Sequence, residues 1–246
     1  MSEVLVLCYH AVSPNWPAAL SVSPDALERQ LSALVRAGWL SCGFTQAVMD
    51  PPYAKTLSVT FDDAFASVDS LGEPVLRSLG LTATVFTPTA YIANGRDLAW
   101  DGTAHWEHTP FARELKPMSW EQLRSLRDEG WEIGSHTSTH RRLPDLSDDE
   151  LRIELESSKA ECERRLEGPC PALAYPYGQA DDRVEAFAAQ AGYQVAGRLT
   201  SRLDQPAALR WPRVGIYHDD ADLRFRLKVS PQIRRLRASP LWARLR

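Results

Sequence analysis

The sequence reads Leu57-Ser58-Val59-Thr60-Phe61-Asp62-Asp63 where its second predicted strand ends. A short apolar run is typical of a buried strand, and this run leads directly into two adjacent carboxylates. Because side chains alternate along an extended chain, Asp62 and Asp63 point in different directions. One can therefore bind a metal ion while its neighbour faces a substrate. Taken alone, such a pair is more often a solvated turn, since Asp is a favoured turn residue.

A second stretch places two imidazoles after another predicted strand, at residues 131–135. It reads His136-Thr137-Ser138-Thr139-His140. Together, the two stretches offer one carboxylate and two histidines to a metal ion and leave a second carboxylate free. Three nitrogen and oxygen ligands with an open position are typical of a hydrolytic metal site, in which a bound water becomes the nucleophile.

Strand and helix patterns alternate along the chain. Predicted strands lie at residues 4–9, 57–61, 82–86, 131–135, 173–175, 194–196 and 214–217. Capping boxes at Ser119 and Ser147 open two of the intervening helices. Repeated strand–helix units predict an α/β fold with a parallel sheet.

Polar residues follow several of these strands: Tyr9-His10, Asp62-Asp63, His136 and Tyr175-Pro176-Tyr177. In a parallel barrel such strand ends converge on one face, where barrel enzymes keep their chemistry. An open doubly wound sheet would gather them at a switch point instead, but no glycine-rich phosphate loop supports a nucleotide fold.

Composition is compatible with one globular domain, expected over residues 1–222. The chain has 246 residues, is 44% hydrophobic and carries a net charge of -4, which gives no reason to expect a nucleic acid partner. We find neither a signal peptide nor a membrane-spanning stretch, so the expected location is the cytoplasm.

The C-terminal tail, residues 223–246, departs from this balance with eight basic residues and no acidic one. Leu241 and Trp242 add apolar groups near its end. A basic stretch with aromatic residues can make peripheral contact with an anionic membrane. The alternatives are a solvated helix that closes the barrel and a frayed terminus.

Three motifs resemble those of the polysaccharide deacetylase family, carbohydrate esterase family four. The stretch Thr60-Phe61-Asp62-Asp63 resembles the first motif, T-F-D-D-G, and residues 136–140 match the second, H-[S/T]-x-x-H. Ala174-Tyr175-Pro176-Tyr177 is similar to the third, R-x-P-Y. The resemblance spans about residues 4–217. It implies a distorted parallel (β/α) barrel of about seven strands and metal-dependent removal of an acetyl group, most often N-acetyl, from a sugar.

Carried over by motif, the resemblance makes Asp63, His136 and His140 the metal ligands and Asp62 the general base. Tyr177 would contribute its backbone N–H to the oxyanion hole. One divalent ion is implied. Two histidines and one carboxylate suit Zn²⁺, although Co²⁺, Ni²⁺ and Fe²⁺ bind such sets too.

Two histidines compete for the role of general acid. His218, in Ile216-Tyr217-His218, approximates the C-terminal L-x-H motif of much of the family. His10, in Leu7-Cys8-Tyr9-His10, resembles the pattern of a permuted branch that acts on poly-N-acetylglucosamine. We favour His10 because it directly follows the strongest early strand.

The chain departs from the family pattern at Ala64, where Gly is usual, and at Ala174, where an Arg usually orients the base. Arg213 is a candidate to replace that Arg or to contact the substrate, although it could also pair on the surface. Trp100 and Trp106, in the long connection at residues 87–117, either line a sugar groove or pack a lid on the barrel.

Two other functions compete with a carbohydrate deacetylase. One is a hydrolase of another C–N bond, such as a small cyclic amide, on the same scaffold. The other is a catalytically silent carbohydrate-binding protein. The complete set of Asp62, Asp63, His136 and His140 argues against the latter, because a binding protein needs no base beside a ligand set.

Overall fold

The computed structural model describes residues 3–199 and 206–239. The strands in these ranges are β1 (Glu3–Tyr9), β2 (Ala11–Val12), β3 (Ser21–Val22), β4 (Leu40–Ser41), β5 (Lys55–Phe61), β6 (Ala83–Thr87), β7 (Glu132–Ser135), β8 (Ala172–Ala174), β9 (Val195–Leu199) and β10 (Trp211–Gly215). The α-helices are α1 (Pro24–Arg36), α2 (Phe44–Met49), α3 (Glu73–Ser78), α4 (Thr89–Asn94), α5 (Trp120–Asp128), α6 (Asp148–Leu166), α7 (Asp182–Gln190), α8 (Asp222–Val229) and α9 (Pro231–Arg237).

Seven parallel strands close into a barrel in the order β1-β10-β9-β8-β7-β6-β5. The closing pair is β1 with β5, in register from Glu3 opposite Lys55 to Tyr9 opposite Phe61. The short strand β4 pairs with the beginning of β5. The predicted parallel (β/α) barrel is therefore confirmed, and each of the seven predicted strands overlaps one strand of the barrel.

The helix boundaries follow the caps that the sequence predicts. Ser119 and Ser147 both form complete capping boxes, at the starts of α5 and α6. After β5 the chain forms a five-residue π-helix, Val68–Gly72, which α3 follows directly. Pro74 stands in the first turn of α3 and has no N–H to donate, so a regular α-helical ladder cannot run through it.

The amino ends of the strands are closed by α2, which contacts β1, β5 and β9. Its Phe44 meets Phe86 of β6 edge to face, with ring centroids 5.6 Å apart. Both rings belong to a buried apolar cluster that also contains Val6, Ala172, Ala174 and Val195. Because this cluster fills that end of the barrel, the carboxyl ends of the strands form the accessible face.

The tail begins with α8 and α9, which lie against the barrel. Phe225 of α8 is buried, and Arg234 of α9 binds both Glu3 and the carbonyl oxygen of Val4. The predicted tail residues 240–246, including Leu241 and Trp242, lie outside the described residues. Among the described helices, none has the length and apolar character needed to cross a bilayer.

Candidate active site

A cavity of about 720 Å³ opens at the carboxyl ends of the barrel strands. Its lining brings together residues that follow four different strands: His10 after β1, Asp62 and Asp63 after β5, His136 and His140 after β7, and Tyr177 after β8. The convergence predicted for a barrel thus collects the sequence motifs in one place.

Asp63, His136 and His140 form a buried three-residue cluster in this cavity, which we call the ligand triad. Asp63 Oδ1 lies 3.3 Å from Nε2 of each histidine. Two ligand atoms about 2.0–2.1 Å from a tetrahedral Zn²⁺ lie about 3.3–3.4 Å apart, so this spacing fits a shared divalent ion. In addition, Asp63 Oδ1 is buried without a hydrogen bond of normal geometry from any described residue.

The charges within the ligand triad also fit a cation. Burial alone would raise the pKa of Asp63, but the facing imidazoles of His136 and His140 lower it well below its usual range. Burial would likewise lower the pKa of His136, but the Asp62 and Asp63 carboxylates raise it. For His140, burial prevails and lowers the pKa. An ionised Asp63 carboxylate therefore faces the imidazole nitrogens of His136 and His140 in a buried site.

Hydrogen bonds behind the triad fix its orientation. His136 Nδ1 lies 2.8 Å from the carbonyl oxygen of Ala174, which leaves Nε2 free to face Asp63. Glu154 of α6 accepts hydrogen bonds from the backbone N–H groups of Ser138 and Thr139, at 2.9 and 2.8 Å, and from the Thr139 hydroxyl. A buried carboxylate from a neighbouring helix thus holds the loop between the two histidines.

Left-handed backbone conformations are concentrated at this site. Among the described residues, six residues other than glycine have a positive φ, and five of them are Asp63, Ala64, Thr137, His140 and Tyr177. Such conformations cost L-residues about 1–2 kcal/mol each and persist where the surrounding structure enforces them. Ala64 itself has φ 54°, which explains physically why a glycine would suit this position.

Asp62 is held by Arg213, which reaches across from β10. Arg213 Nη1 donates to Asp62 Oδ1 at 2.7 Å, and Nη2 donates to Oδ2 at 2.8 Å. The hydroxyl of Thr60 accepts a further hydrogen bond from Nη1 at 3.1 Å. Burial alone would raise the pKa of Asp62, but the guanidinium lowers it to about 2. Arg213 therefore pairs with Asp62 in the interior and not on the surface, while its substitution for the third-motif Arg stays a prediction.

Gly197 of β9 makes room for the Arg213 side chain. A Cβ atom at residue 197 would lie 2.6 Å from Arg213 Nε and 2.7 Å from its Cδ. A Cβ atom, which forms no hydrogen bonds, does not approach other heavy atoms this closely, so any larger residue there would displace the Arg213 side chain. Residue 197 must therefore be glycine, because Arg213 leaves no space for a side chain there.

A second group of possible ligands, Cys8, His10 and Asp62, adjoins the ligand triad. Cys8 Sγ lies 3.4 Å from Asp62 Oδ2, within the distance for an S–H donor. Burial raises the pKa of the Cys8 thiol well above its usual range. Because both Asp62 oxygens already bind Arg213 and the thiol holds its proton, this group orients the carboxylate rather than binding an ion.

The two candidate acids lie in different surroundings. His10 is buried and lines the cavity, and its Nδ1 has no hydrogen-bond partner among the described residues. Burial lowers the pKa of His10, partly offset by Asp63 and Asp62. His218 is exposed and does not line the cavity. Geometry therefore favours His10, while its chemical role stays a prediction.

Trp100 and Trp106, both in the long connection, have different surroundings. Trp100 lines the cavity, and its ring stacks on the His140 imidazole with centroids 4.0 Å apart. Trp106 instead packs edge to face against Trp16 and Phe111 and does not line the cavity. Trp106 thus occupies the packing position that the sequence left open as an alternative.

Sequence reasoning missed Glu154, Gly197 and the contact of Cys8 with Asp62. Glu154 lies in a helix with many acidic residues, and nothing in the sequence distinguishes it from its exposed neighbours. Gly197 stands alone in an apolar strand, where an isolated glycine could have indicated the close approach of another group.

The comparisons with known proteins agree with this geometry. Residues 50–196, more than half of the chain, match the sequence profile described as Polysaccharide deacetylase. YxkH of Bacillus subtilis (strain 168), whose name places it among the polysaccharide deacetylases, is 23% identical over 199 residues. That match covers 79% of this chain and 63% of YxkH, so the chain spans less than two thirds of that relative's length.

Two solved structures share the fold over most of the chain. The Streptococcus pyogenes deacetylase PplD, in complex with acetate, has a TM-score of 0.77 and 21% identity, covering 93% of this chain and 98% of PplD. The polysaccharide deacetylase BC0361 from Bacillus cereus has a TM-score of 0.73 and 24% identity, covering 92% of this chain and 69% of BC0361. At these identities the likeness establishes the fold alone.

Glu154→Ala is expected to weaken Zn²⁺ binding by about 10–100-fold, because the loop that carries both histidines loses its outer support. Glu154→Gln should have an intermediate effect, since an amide keeps only one acceptor oxygen. The control is Glu156→Ala, an exposed residue of the same helix. The measurement is a competition titration of the metal-free protein against a chromophoric chelator. Equal affinities for Glu154→Ala and wild type would exclude this supporting role.

Proposed function

We propose that this chain, which belongs to the polysaccharide deacetylase family, is a metal-dependent hydrolase that removes N-acetyl groups from a carbohydrate. The observation that carries the proposal is the arrangement of Asp62. This buried carboxylate is aligned by Arg213 and lies beside the ligand triad, inside one cavity. A free, oriented carboxylate next to a set of metal ligands is the arrangement that hydrolysis requires.

Asp63, His136 and His140 would hold the ion, and two imidazoles with one carboxylate suit Zn²⁺ best. When bound, a divalent ion acidifies a water molecule and polarises the acetyl carbonyl. The stacking of Trp100 on His140 covers one side of the triad and limits access of bulk water. The hydrogen bond between His136 Nδ1 and the Ala174 carbonyl oxygen leaves Nε2 as the nitrogen that would hold the ion.

Proton transfer is the task of Asp62 and His10. Asp62, with a pKa of about 2, is ionised at neutral pH and accepts the proton of the attacking water. The polar atoms of Asp62 and His10 lie within 4.8 Å of each other. His10 is neutral before the reaction because burial lowers its pKa, so it can take up this proton and deliver it to the leaving nitrogen.

Tyr177 borders the reacting centre from β8. Its left-handed backbone, with φ 57° and ψ 10°, places the ring 4.8 Å from the His140 ring. Its backbone N–H is the proposed donor to the developing oxyanion. The cavity volume of about 720 Å³ lies within the range of about 300–1,000 Å³ for small-ligand pockets, so it can accommodate a sugar ring.

Asp63→Ala should abolish both the bound metal and acetate release, since the triad loses its only carboxylate. The assay measures elemental composition and acetate released from N-acetylglucosamine oligomers on the same samples. Asp128→Ala, which removes an exposed carboxylate, should match wild type in both readouts. A metal-loaded wild-type protein that releases no acetate would reject this substrate. Undiminished acetate release from metal-free protein would overturn the proposal as a whole.

His10→Ala is expected to lower kcat by about 10²–10⁴-fold while metal content stays at the wild-type level, because the leaving nitrogen loses its proton donor. His218→Ala, at an exposed position outside the cavity, should retain full activity. Steady-state kinetics and elemental analysis on both variants decide the assignment. The opposite pattern would transfer the role to His218.

Gly197→Ala should lower kcat by up to about 100-fold through displacement of Arg213 and misalignment of Asp62. The matched control is Gly168→Ala, where a Cβ would meet no atom closer than 3.7 Å. Metal content should stay unchanged, because the ligand triad does not contact Arg213. A wild-type kcat in the Gly197→Ala variant would show that the base does not depend on Arg213.

A further inference from the structure

The outward side of α8 and α9 combines leucines with arginines. Leu223, Leu227 and Leu236 are 71%, 50% and 37% exposed, and Arg226 and Arg235 are exposed beside them. We call these five residues the tail surface. Leu223 and Leu227 are four residues apart in α8 and therefore project from the same side of the helix.

The inward side of the same helices is held firmly. Phe225 is buried in the core, and Lys228 donates to the carbonyl oxygen of Gly215 and to the Asp220 carboxylate. Arg234 binds Glu3 and the Val4 carbonyl oxygen. Because these contacts fix both helices, the leucines of the tail surface cannot turn inward without loss of these partly buried hydrogen bonds and of the Phe225 packing.

Two cations of the tail surface are available to a partner. Arg226 and Arg235 make no hydrogen bond or ion pair within the described part of the chain. Residues 223–246 carry eight basic and no acidic residues. The remainder, residues 1–222, carries 20 basic and 32 acidic residues, a net charge of -12. The charge is thus distributed unevenly along the chain, with an excess of positive charge in residues 223–246.

We propose that the tail surface binds an anionic lipid membrane. Exposed leucines flanked by arginines on a helix are the features of an interfacial helix, in which the apolar groups enter the headgroup region and the cations meet lipid phosphates. The acidic body is repelled by the same membrane, so the charge distribution also sets one orientation of the protein on it.

Other partners fit these observations less well. A nucleic acid or an acidic protein segment would pair with the arginines but would gain little from three exposed leucines. A second copy of this chain would bring two basic surfaces together and would have to overcome their repulsion. The combination of apolar and cationic groups therefore favours lipid.

The tail surface does not border the cavity of the ligand triad. Lys228 and Arg237 line that cavity, but neither belongs to the tail surface. Arg226 and Arg235 instead line hollows that also contain Glu3 and Lys55, at the amino ends of β1 and β5. Membrane binding by the tail surface therefore does not rest on the proposed function.

The test is co-sedimentation of the full chain with vesicles of phosphatidylcholine, with and without phosphatidylglycerol. We expect binding only to the vesicles that contain phosphatidylglycerol, and loss of binding when salt is raised from about 0.1 M to about 0.5 M. Each cation near an anionic surface contributes about fivefold to affinity, so Arg226→Gln combined with Arg235→Gln should weaken binding by about 25-fold. Leu223→Ser combined with Leu227→Ser should weaken it as well.

Two control variants remove similar groups elsewhere. Ile153→Ser changes a side chain of α6 that is 63% exposed, and Arg113→Gln removes an exposed cation outside the tail. Both should bind vesicles like wild type. The tail variants should keep wild-type metal content, which distinguishes loss of the surface from loss of the fold or of the proposed activity.

Four results would overturn the proposal. The first is equal or absent binding to both kinds of vesicle, and the second is unchanged binding by the arginine and leucine variants. The third is a leucine-dependent dimer in light scattering without vesicle binding, which would assign the tail surface to a second copy. Binding to nucleic acid in place of vesicles would equally replace lipid as the partner.

Discussion

The ion pair between Arg213 and Asp62 is the interaction on which the site depends. Both side chains are almost fully buried, so each charge is compensated mainly by the other rather than by solvent. Removal of one partner from such a pair typically costs about 3–5 kcal/mol because the other charge is left uncompensated. The pair also joins β5 to β10 across the barrel, and the space that it needs excludes any side chain at Gly197. The contacts that orient Asp62 therefore also pack β9 and β10 of the barrel together.

Strained backbone conformations are concentrated around the same cavity. Left-handed residues follow β5, β7 and β8 directly, and they turn Asp63, His140 and Tyr177 toward one another. Glu154 of α6 accepts three hydrogen bonds from Ser138 and Thr139, which lie between the left-handed residues Thr137 and His140. The loop is thus supported from outside the cavity.

Much of the architecture could be predicted from local patterns. Apolar runs located the seven barrel strands, and capping residues located the starts of α5 and α6, because these signals arise within a few residues. The convergence of Asp62, Asp63, His136 and His140 could also be predicted, because parallel strands in a barrel end on one face. Their assignment as base and metal ligands came from the resemblance to the family and stays a prediction.

Only the tertiary structure decided which distant groups meet. Arg213 and Asp62 are 151 residues apart, and no local pattern selects this partner over surface pairing. The same holds for the burial of His10 against the exposure of His218, for the packing of Trp106 and for the role of Glu154. Strand order and register set these contacts, and they are properties of the closed barrel. The sequence by itself therefore determined the elements and the chemistry available at their ends, whereas barrel closure determined which side chains act together.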